Sequence, residues 1–374
     1  MSPEVDERWM RRAIEVARKG WGTTHPNPLV GAVLADREQI LAEGYHEVAG
    51  GPHAEVQALR QWEGVVPDSA TLYVTLEPCS TVGRTPACTQ AIIDAGIKRV
   101  VVGALDDDAR HRGKGLEILR SAGIAATAGV LEQDCEDLNL IFHFFHRTGR
   151  AMIAAKVATT IDGRTAVEGG ASKWITGEKS RANVHQWRRY FPAIAVGART
   201  AIADDPSLTS RLGPKDFCPV RIIFDRTGRL VNFPNLRVLT DKFRDKTVIF
   251  VSDEAYDKVR KVVSDEVRVV RCPGEGEIRD FLLGWLANEG LHGIYVEGGS
   301  VLHSRLFAEQ AVDYLFAYRA PKLFLDDRAR PVAGGRYLED PSEAITLEDC
   351  RHEIFGSDQL LRGRICYPVG KERS

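Results

Sequence analysis

The fold of the first half is decided by residues 51–80, which read GPHAEVQALRQWEGVVPDSATLYVTLEPCS. The part from His53 to Trp62 predicts a helix, and Pro52 directly before it is typical of a helix start. The run TLYVTL (71–76) is rich in β-branched and aromatic residues and predicts a strand. A helix followed so soon by a strand indicates a layered α/β domain.

The flanking segments continue this alternation of helices and strands. The predicted elements are a hairpin made of 29–35 and 39–46, a helix from Pro86 to Ala95, a strand at 99–105, and helices at 116–122 and 131–147. The sequence therefore predicts an α/β domain with partly parallel strands. Thr148-Gly149-Arg150 is the predicted linker, and a second α/β series follows it. We expect two domains, 1–147 and 148–374.

Composition narrows the class of protein. The 374 residues are 44% hydrophobic and 27% charged, which is typical of a soluble globular protein. A net charge of -2 argues against a nucleic-acid partner, which usually demands a basic excess. No apolar run approaches the roughly 18 residues that a membrane span needs. Seven scattered cysteines and an N-terminus without a signal-peptide pattern predict a cytoplasmic protein with reduced thiols.

A metal-binding pattern lies at the ends of the predicted strands and helices. His53, Cys79 and Cys88 offer one imidazole and two thiolates, the ligands that Zn²⁺ prefers when a fourth position is left for water. Glu55 adds a carboxylate that can move protons without binding the metal. Residues two apart point to opposite sides of a helix, so His53 and Glu55 share a site only at its first turn. The order H-x-E, P-C, C matches zinc deaminases, in which zinc-activated water displaces an amino group, although the C-x8-C spacing here is wider than their usual P-C-x-x-C.

The surrounding residues resemble the bifunctional riboflavin-biosynthesis deaminase/reductase family over nearly the whole chain. The shared motifs include 23–28, 44–46, 77–80, 83–88, 162–164, 172–176, 197–211, 296–299 and 320–323. The resemblance implies an α/β architecture: an N-terminal cytidine-deaminase-like three-layer domain followed by a C-terminal dihydrofolate-reductase-like domain. It implies Zn²⁺ in the first domain and NADPH in the second. It further implies a small-molecule phosphoribosylaminopyrimidine substrate and a homo-oligomer, with no membrane partner.

The resemblance also assigns roles to individual residues. In the deaminase, Asn27 and His46 would line the pyrimidine pocket, and Arg84 is the candidate for binding the substrate phosphate. The residues expected at NADPH are Ala158, Trp174, Thr200, Asp204, Gly299, Ser300, Val301, Leu302, His303, Ser304 and Arg305. Those expected at the reductase substrate are Lys156, Ser172, Arg188, Leu208, Arg211 and Glu297. No G-x-G-x-x-G follows a strand, which disfavours a Rossmann dehydrogenase.

One segment departs from the family. Many members have Asp-Pro-Asn-Pro after the strand at 99–105, whereas this chain has Asp106-Asp107-Asp108-Ala109. Three consecutive acids are electrostatically unfavourable beside a phosphorylated substrate. An altered loop or an altered deaminase is therefore expected.

Three alternatives stay open at this point. A nucleic-acid-editing deaminase shares the zinc pattern but would want a basic strand-binding channel. The second half could be a scaffold without catalysis. The third is a zinc-stabilised binding protein, which would lose its fold, and not only turnover, when the metal is removed.

Overall fold

The computed structural model describes residues 2–81, 87–213, 216–274, 277–335 and 337–368. The chain forms two compact units, Met1–Arg150 and Ala151–Ser374. The predicted α/β class is confirmed in both. No helix in these described ranges is long and apolar enough to cross a membrane.

Unit 1 is built on a five-stranded sheet. Its strands are β1 (Gly31–Ala35), β2 (Ile40–Tyr45), β3 (Thr71–Leu76), β4 (Arg99–Ala104) and β5 (Ala125–Ala128), in the order β2-β1-β3-β4-β5. Its helices are α1 (Pro3–Ala17), α2 (Ala54–Gln61), α3 (Cys88–Asp94), α4 (Lys114–Ser121), α5 (Glu132–Leu138) and α6 (Leu140–Thr148). The β1–β2 and β1–β3 pairs are antiparallel, while β3, β4 and β5 run parallel.

Side chains alternate across this sheet into two cores, as the period of a strand requires. On one face Leu72 and Val100 pack with Ala58 of α2 and Ile92 of α3. On the other face Tyr73 and Val101 pack with the apolar stripe of α1, which includes Met10 and Ile14. The unit therefore has the three layers that were predicted.

The single helix predicted at 131–147 is wrong. It is two helices, α5 and α6, separated at Asn139. The buried amide of Asn139 accepts a hydrogen bond from the Leu29 N–H at 2.7 Å and donates one to the Leu29 carbonyl at 2.8 Å. The break serves a contact with a distant segment, which helical periodicity cannot show.

Unit 2 contains a nine-stranded sheet. Its strands are β6 (Met152–Thr159), β8 (Ala193–Gly197), β9 (Val220–Phe224), β10 (Thr247–Val251), β11 (Arg268–Arg271), β12 (Gly293–Val296), β13 (Tyr314–Arg319), β15 (Thr346–Phe355) and β16 (Asp358–Cys366). β7 (Arg164–Ala166) and β14 (Arg330–Pro331) form a separate pair. The helices are α7 (Glu178–Tyr190), α8 (Ala198–Asp204), α9 (Arg237–Thr240), α10 (Asp253–Arg260), α11 (Ile278–Asn288) and α12 (Ser300–Ala308).

The order of the large sheet is β11-β10-β9-β8-β12-β6-β13-β16-β15. The strands from β11 to β13 run parallel, and β16 and β15 extend the sheet antiparallel. One face is covered by α11 and α12 through Leu282, Trp285 and Leu306. In open α/β sheets, ligands bind at the carboxyl ends of parallel strands, and unit 2 has its cleft there.

Candidate active sites

The predicted zinc ligands of unit 1 lie together. The Nδ1 atom of His53 is 3.2 Å from the Cys88 Sγ atom and 3.5 Å from the Cys79 Sγ atom. All three ligand atoms lie within 4.8 Å of one another, and this is the single such cluster of three or more His, Cys, Asp or Glu in the described parts of the chain. One nitrogen and two sulfurs suit Zn²⁺ and leave a fourth tetrahedral position.

Each ligand stands where a regular element begins or has just ended. His53 is the N-cap residue of α2, and Cys88 is the first residue of α3. Cys79 follows β3 and accepts a hydrogen bond from the Cys88 N–H at 3.4 Å. Gly44 in β2 allows α2 to approach, since a Cβ there would lie 2.3 Å from the Ala58 nitrogen.

The Glu55 carboxyl is the acid–base group available beside this cluster. Glu55 lies in the first turn of α2 and is buried. Burial raises its pKa, and the charge of Cys79 adds to this, while His53 opposes it. A carboxyl that both takes up and releases a proton readily suits general acid–base catalysis.

The two thiols are electrostatically unequal. Hydrogen bonding from Cys88, with help from His53, lowers the pKa of Cys79. The pKa of Cys88 is raised because its thiol donates to Cys79 and because it is buried. Cys79 therefore has the lower pKa of the two, and a bound Zn²⁺ would take both sulfurs as thiolates, the form that binds metal.

The residues expected at the pyrimidine pocket adjoin the cluster. The Asn27 amide nitrogen is 3.2 Å from the Nε2 atom of His46, whose Nδ1 atom is 3.1 Å from the Pro52 carbonyl. The rings of His46 and His53 meet edge to face with centroids 5.5 Å apart. The predicted phosphate ligand Arg84 lies outside the described residues.

Glu77, to which the sequence assigned no role, anchors the cysteine loop. Its buried carboxylate accepts hydrogen bonds from the backbone N–H groups of Gly113 and Gly115, both at 2.9 Å. Gly115 allows α4 to approach, because a Cβ there would lie 2.3 Å from the Pro78 carbonyl oxygen. The signal that the sequence offered for Glu77 was an acidic residue two positions before Cys79, a proposed zinc ligand.

Two of the three consecutive acids have charged partners, while burial raises the pKa of the third, Asp106. Asp107 is 2.8 Å from the His143 Nδ1 atom and 2.6 Å from the Arg147 Nε atom, and Asp108 pairs with Arg110. Burial would raise the pKa of Asp107, but the His143 hydrogen bond and the nearby cations outweigh burial and lower it. Asp107 therefore has its partners on α6, whereas Asp108 has its partner in the same loop.

Unit 2 has a cleft of about 840 Å³ at the carboxyl ends of its parallel strands. Every reductase residue predicted from the resemblance lines this cleft except Ser304. The Ser304 hydroxyl instead donates to the Ser300 carbonyl at 2.7 Å and accepts from the Gly334 N–H at 2.9 Å. Its hydrogen bonds are therefore made within α12 and to a neighbouring loop, away from the cleft lining.

A buried ion pair organises one end of the cleft. Arg188 holds Glu297 with two hydrogen bonds of 2.5 and 2.8 Å, and its third nitrogen donates to the Thr209 carbonyl at 3.2 Å. Burial would raise the pKa of Glu297, but Arg188 lowers it to about 2. Lys156 also lines this end, and burial lowers its pKa, with Arg188 acting in the same direction.

A glycine turn directly after Glu297 forms another part of the cleft lining. Gly299 has φ of 91°, and a Cβ there would lie 2.6 Å from the Thr200 hydroxyl. That hydroxyl donates to the Gly298 carbonyl at 3.1 Å. The buried His303 imidazole lies 3.3 Å from the Val296 carbonyl, and burial lowers its pKa to about 4. Trp174 is 63% exposed and stacks against the Arg181 guanidinium.

Two charged or titratable residues of the cleft, His185 and Arg226, were not predicted from the sequence. His185 lies three residues before Arg188 on α7, so helical spacing would have placed it on the same face. Arg226 follows β9 at the carboxyl end of the strand, where ligands bind. Its Nη1 atom is buried without a hydrogen-bond partner in the described structure.

Comparisons with known proteins match both units. Residues 3–104 match the cytidine and deoxycytidylate deaminase zinc-binding region, and residues 151–361 match the RibD C-terminal domain. The riboflavin biosynthesis protein RibD of Bacillus amyloliquefaciens is 40% identical over 96% of this chain and 95% of its own. The protein of that name from Actinobacillus pleuropneumoniae is 38% identical over 98% and 96%.

Two solved structures share this fold over nearly the full length of the chain. RibD of Acinetobacter baumannii superposes with a TM-score of 0.79 at 34% identity, covering 98% of this chain and 100% of that one. The diaminohydroxyphosphoribosylaminopyrimidine deaminase/5-amino-6-(5-phosphoribosylamino)uracil reductase of Thermotoga maritima gives 0.82 at 36% identity, covering 97% and 99%.

The fold and the two sites define a bifunctional enzyme, a zinc-binding deaminase followed by a reductase domain. The chain belongs to the RibD family of riboflavin biosynthesis proteins and has the deaminase and reductase activities of that pathway. This membership decides against a nucleic-acid-editing deaminase and against a second half that is only a scaffold.

Proposed function

We propose that His53, Cys79 and Cys88 bind Zn²⁺, that Glu55 is the acid–base catalyst of deamination, and that the cleft of unit 2 binds NADPH beside the deaminated product. The substrate would be 2,5-diamino-6-(5-phosphoribosylamino)pyrimidin-4(3H)-one, and the final product 5-amino-6-(5-phosphoribitylamino)uracil. The observation that carries the proposal is the cluster of three ligand atoms within 4.8 Å, with a buried carboxyl two residues from the histidine.

Each group at the deaminase site has one proposed chemical role. Zinc bound there supplies a water molecule whose pKa is lowered toward about 7. The Glu55 carboxylate would accept a proton from the attacking water as the water oxygen bonds to C2 of the pyrimidine. It would return that proton to the amino group as the C–N bond breaks and ammonia leaves. Asn27 and His46, linked at 3.2 Å, offer polar atoms to the pyrimidine edge. Arg84 is proposed as the phosphate ligand.

The cleft of unit 2 fits a phosphorylated nicotinamide cofactor. Gly298 and Gly299 keep its wall free of side chains, and the unpartnered buried nitrogen of Arg226 offers a donor to an anionic group. The bound cofactor supplies hydride to the sugar carbon that was C1 of the ribose. Ala158, Trp174, Thr200, Asp204 and the turn from Gly299 to Arg305 are proposed at this cofactor; Ser304, whose hydroxyl bonds elsewhere, would take part only through its backbone.

The other end of the cleft suits the sugar phosphate. The Arg188–Glu297 pair presents a fixed carboxylate and guanidinium, and Arg211 is an exposed cation at the same end. Lys156 also lines the cleft, and its charge interacts with Glu297 at the proposed substrate end and with Asp204 at the proposed cofactor site. Ser172 and Leu208 complete the proposed substrate wall. Together these groups would hold the substrate oriented toward the nicotinamide.

The test is a single-turnover assay of wild type and Glu55→Gln on the diamino-pyrimidinone phosphate, with ammonia and NADPH oxidation followed separately. Wild type is expected to give both signals. Glu55→Gln should lose ammonia release by about 10²–10⁴-fold yet oxidise NADPH when the deaminated intermediate is supplied. Ammonia release by Glu55→Gln at the wild-type rate would exclude the acid–base role.

We also propose the domain bounds, the cellular location and the assembly of the chain. We assign the deaminase to 1–147 and the reductase to 148–374. All seven cysteines are free thiols, which supports a reducing, cytoplasmic location. The family resemblance supports a homo-oligomer, and sedimentation equilibrium would measure its size.

A further inference from the structure

His185 lines the substrate end of the unit 2 cleft, yet neither the sequence motifs nor the proposed mechanism gives it a role. It lies on α7, three residues before Arg188. Its Nδ1 atom is 3.1 Å from the Thr209 carbonyl, the same oxygen that accepts from Arg188. The Ser210 hydroxyl donates to the His185 carbonyl at 2.7 Å. The first of these bonds orients the imidazole, and the second fixes the backbone that carries it.

These contacts fix the tautomer of the imidazole. A carbonyl oxygen only accepts hydrogen bonds, so the Nδ1 atom facing Thr209 must carry a proton. In a neutral imidazole the other nitrogen, Nε2, then has a lone pair and is an acceptor. The ring therefore presents a directed acceptor at the end of the cleft that also holds Arg188, Glu297 and Arg211.

The surroundings keep this ring neutral. Burial lowers the pKa of His185 to about 4, and the positive charges of Arg188 and Arg211 act in the same direction, while Glu297 opposes them. At neutral pH the ring is then uncharged. A lone pair repels phosphate and carbonyl oxygens, so the anionic end of a ligand goes to Arg211 instead. What His185 can bind is an O–H or N–H donor.

We propose that the Nε2 atom of His185 accepts a hydrogen bond from a hydroxyl or N–H group of the phosphoribosylaminopyrimidine that is reduced in this cleft. The inference rests on the proposed function, because it assumes that this substrate occupies the end of the cleft near Arg188 and Glu297. It assigns His185 to substrate specificity: the residue selects for a ligand that places a donor there, and it makes no proton transfer.

Two substitutions separate this role from a structural one. In His185→Asn, the amide nitrogen can occupy the position of Nδ1 and keep the bond to Thr209, while the Nε2 acceptor is lost. In His185→Gln, the longer amide places an oxygen near the position of Nε2, while the bond to Thr209 is lost. The assay is reductase turnover of the full-length enzyme with the deaminated intermediate. NADPH affinity is measured by tryptophan fluorescence, and the melting temperature by calorimetry.

If the inference holds, His185→Asn raises KM for the pyrimidine about tenfold, the effect of losing one hydrogen bond, without changing NADPH affinity. His185→Gln should come closer to wild type in KM despite a lower melting temperature. A His185→Asn enzyme with wild-type KM overturns the inference. So does a His185→Gln enzyme that loses NADPH and pyrimidine affinity together, since that pattern marks a purely structural role. Wild type that fails to oxidise NADPH with this intermediate would instead refute the proposed function.

Discussion

The His53 Nδ1 atom and the Cys88 Sγ atom lie 3.2 Å apart although 35 positions separate them in the chain. Neither residue lies in the middle of an element: one caps α2 and the other opens α3. Backbone at such positions can direct side chains to a common point, which a pair two residues apart inside a helix could not do. The metal cluster therefore depends on where the helices begin.

Replacing one proposed zinc ligand should remove the zinc and the deaminase activity, and leave the reductase activity intact. Cys88→Ser is expected to lower the zinc content, measured by mass spectrometry, well below one per chain. Ammonia release should fall by more than about 100-fold, because even loss of an outer-shell partner costs 10–100-fold. NADPH oxidation with the deaminated intermediate should persist, since the reductase cleft is lined by residues of unit 2 alone.

The matched control for this experiment is Cys350→Ser, which changes an exposed free thiol. It should alter neither the zinc content nor either activity. Loss of the folded state in Cys88→Ser, seen as collapse of the melting transition of unit 1, would point to a structural zinc instead.

Glu297→Gln should destabilise unit 2 in a pH-dependent way. At pH 7 it leaves Arg188 without its anion in a largely buried position, which costs about 3–5 kcal/mol. Because Arg188 holds the folded pKa of Glu297 at about 2, below its unfolded value, the contribution of this carboxylate is complete above about pH 4.5. It is lost as the pH falls toward 2. The gap between the melting temperatures of wild type and variant should therefore narrow from pH 7 to pH 3.

Glu348→Gln is the control for that measurement, because Glu348 pairs with Arg364 at an exposed position. This substitution should lower the free energy of unfolding by less than about 1 kcal/mol. A gap for Glu297→Gln that is equally wide at pH 3 and pH 7 would contradict the linkage.

Gly299→Ala should weaken NADPH binding. The residue has φ of 91°, and its new Cβ would lie 2.6 Å from the Thr200 hydroxyl. The new side chain should strain the turn by about 1–3 kcal/mol. The affinity for NADPH, measured by titration calorimetry, should therefore fall about tenfold. Gly284→Ala is the matched control, since Gly284 lies in α11 with open space around its Cβ position. That change should be neutral or stabilising. Equal NADPH affinity in both variants would show that the turn tolerates a side chain.

Asp107→Asn tests the chain-specific acidic segment. Asp107 is 5% exposed at its side chain and faces His143 and Arg147, so losing its charge should destabilise unit 1 by about 1.5–3 kcal/mol. Thermal unfolding of this variant would be compared with Asp94→Asn, an exposed aspartate in α3. A melting temperature unchanged from that of Asp94→Asn would mean that the ion pairs contribute nothing.

The sequence predicted what local patterns determine. The strand at 71–76 was predicted with its observed bounds, because its β-branched and aromatic residues define it. The clustering of His53, Cys79 and Cys88 could be predicted because the order H-x-E, P-C, C matches a known zinc pattern. The short helices α8 and α12 were not predicted, because each follows directly from a strand through glycine and neither has a strong amphipathic pattern.

What escaped prediction depends on contacts between distant residues. Asn139 breaks a helix to bond Leu29, and Asp107 has its partners on α6. Glu77 binds backbone N–H groups of a loop that begins beyond the next strand. Each of these partnerships is invisible in a window of ten or twenty residues, because only the tertiary fold brings the groups together.

The strand order of the large sheet has a consequence for synthesis on the ribosome. β6, the first strand of unit 2 to emerge, has no strand neighbour until β12 and β13 arrive, since Met152 pairs with Gly293 and Ala154 with Tyr314. In unit 1 the strands join the sheet nearly in the order in which they are made. The deaminase can therefore assemble while translation continues, whereas the nascent reductase must keep an apolar central strand unpaired until most of the chain exists.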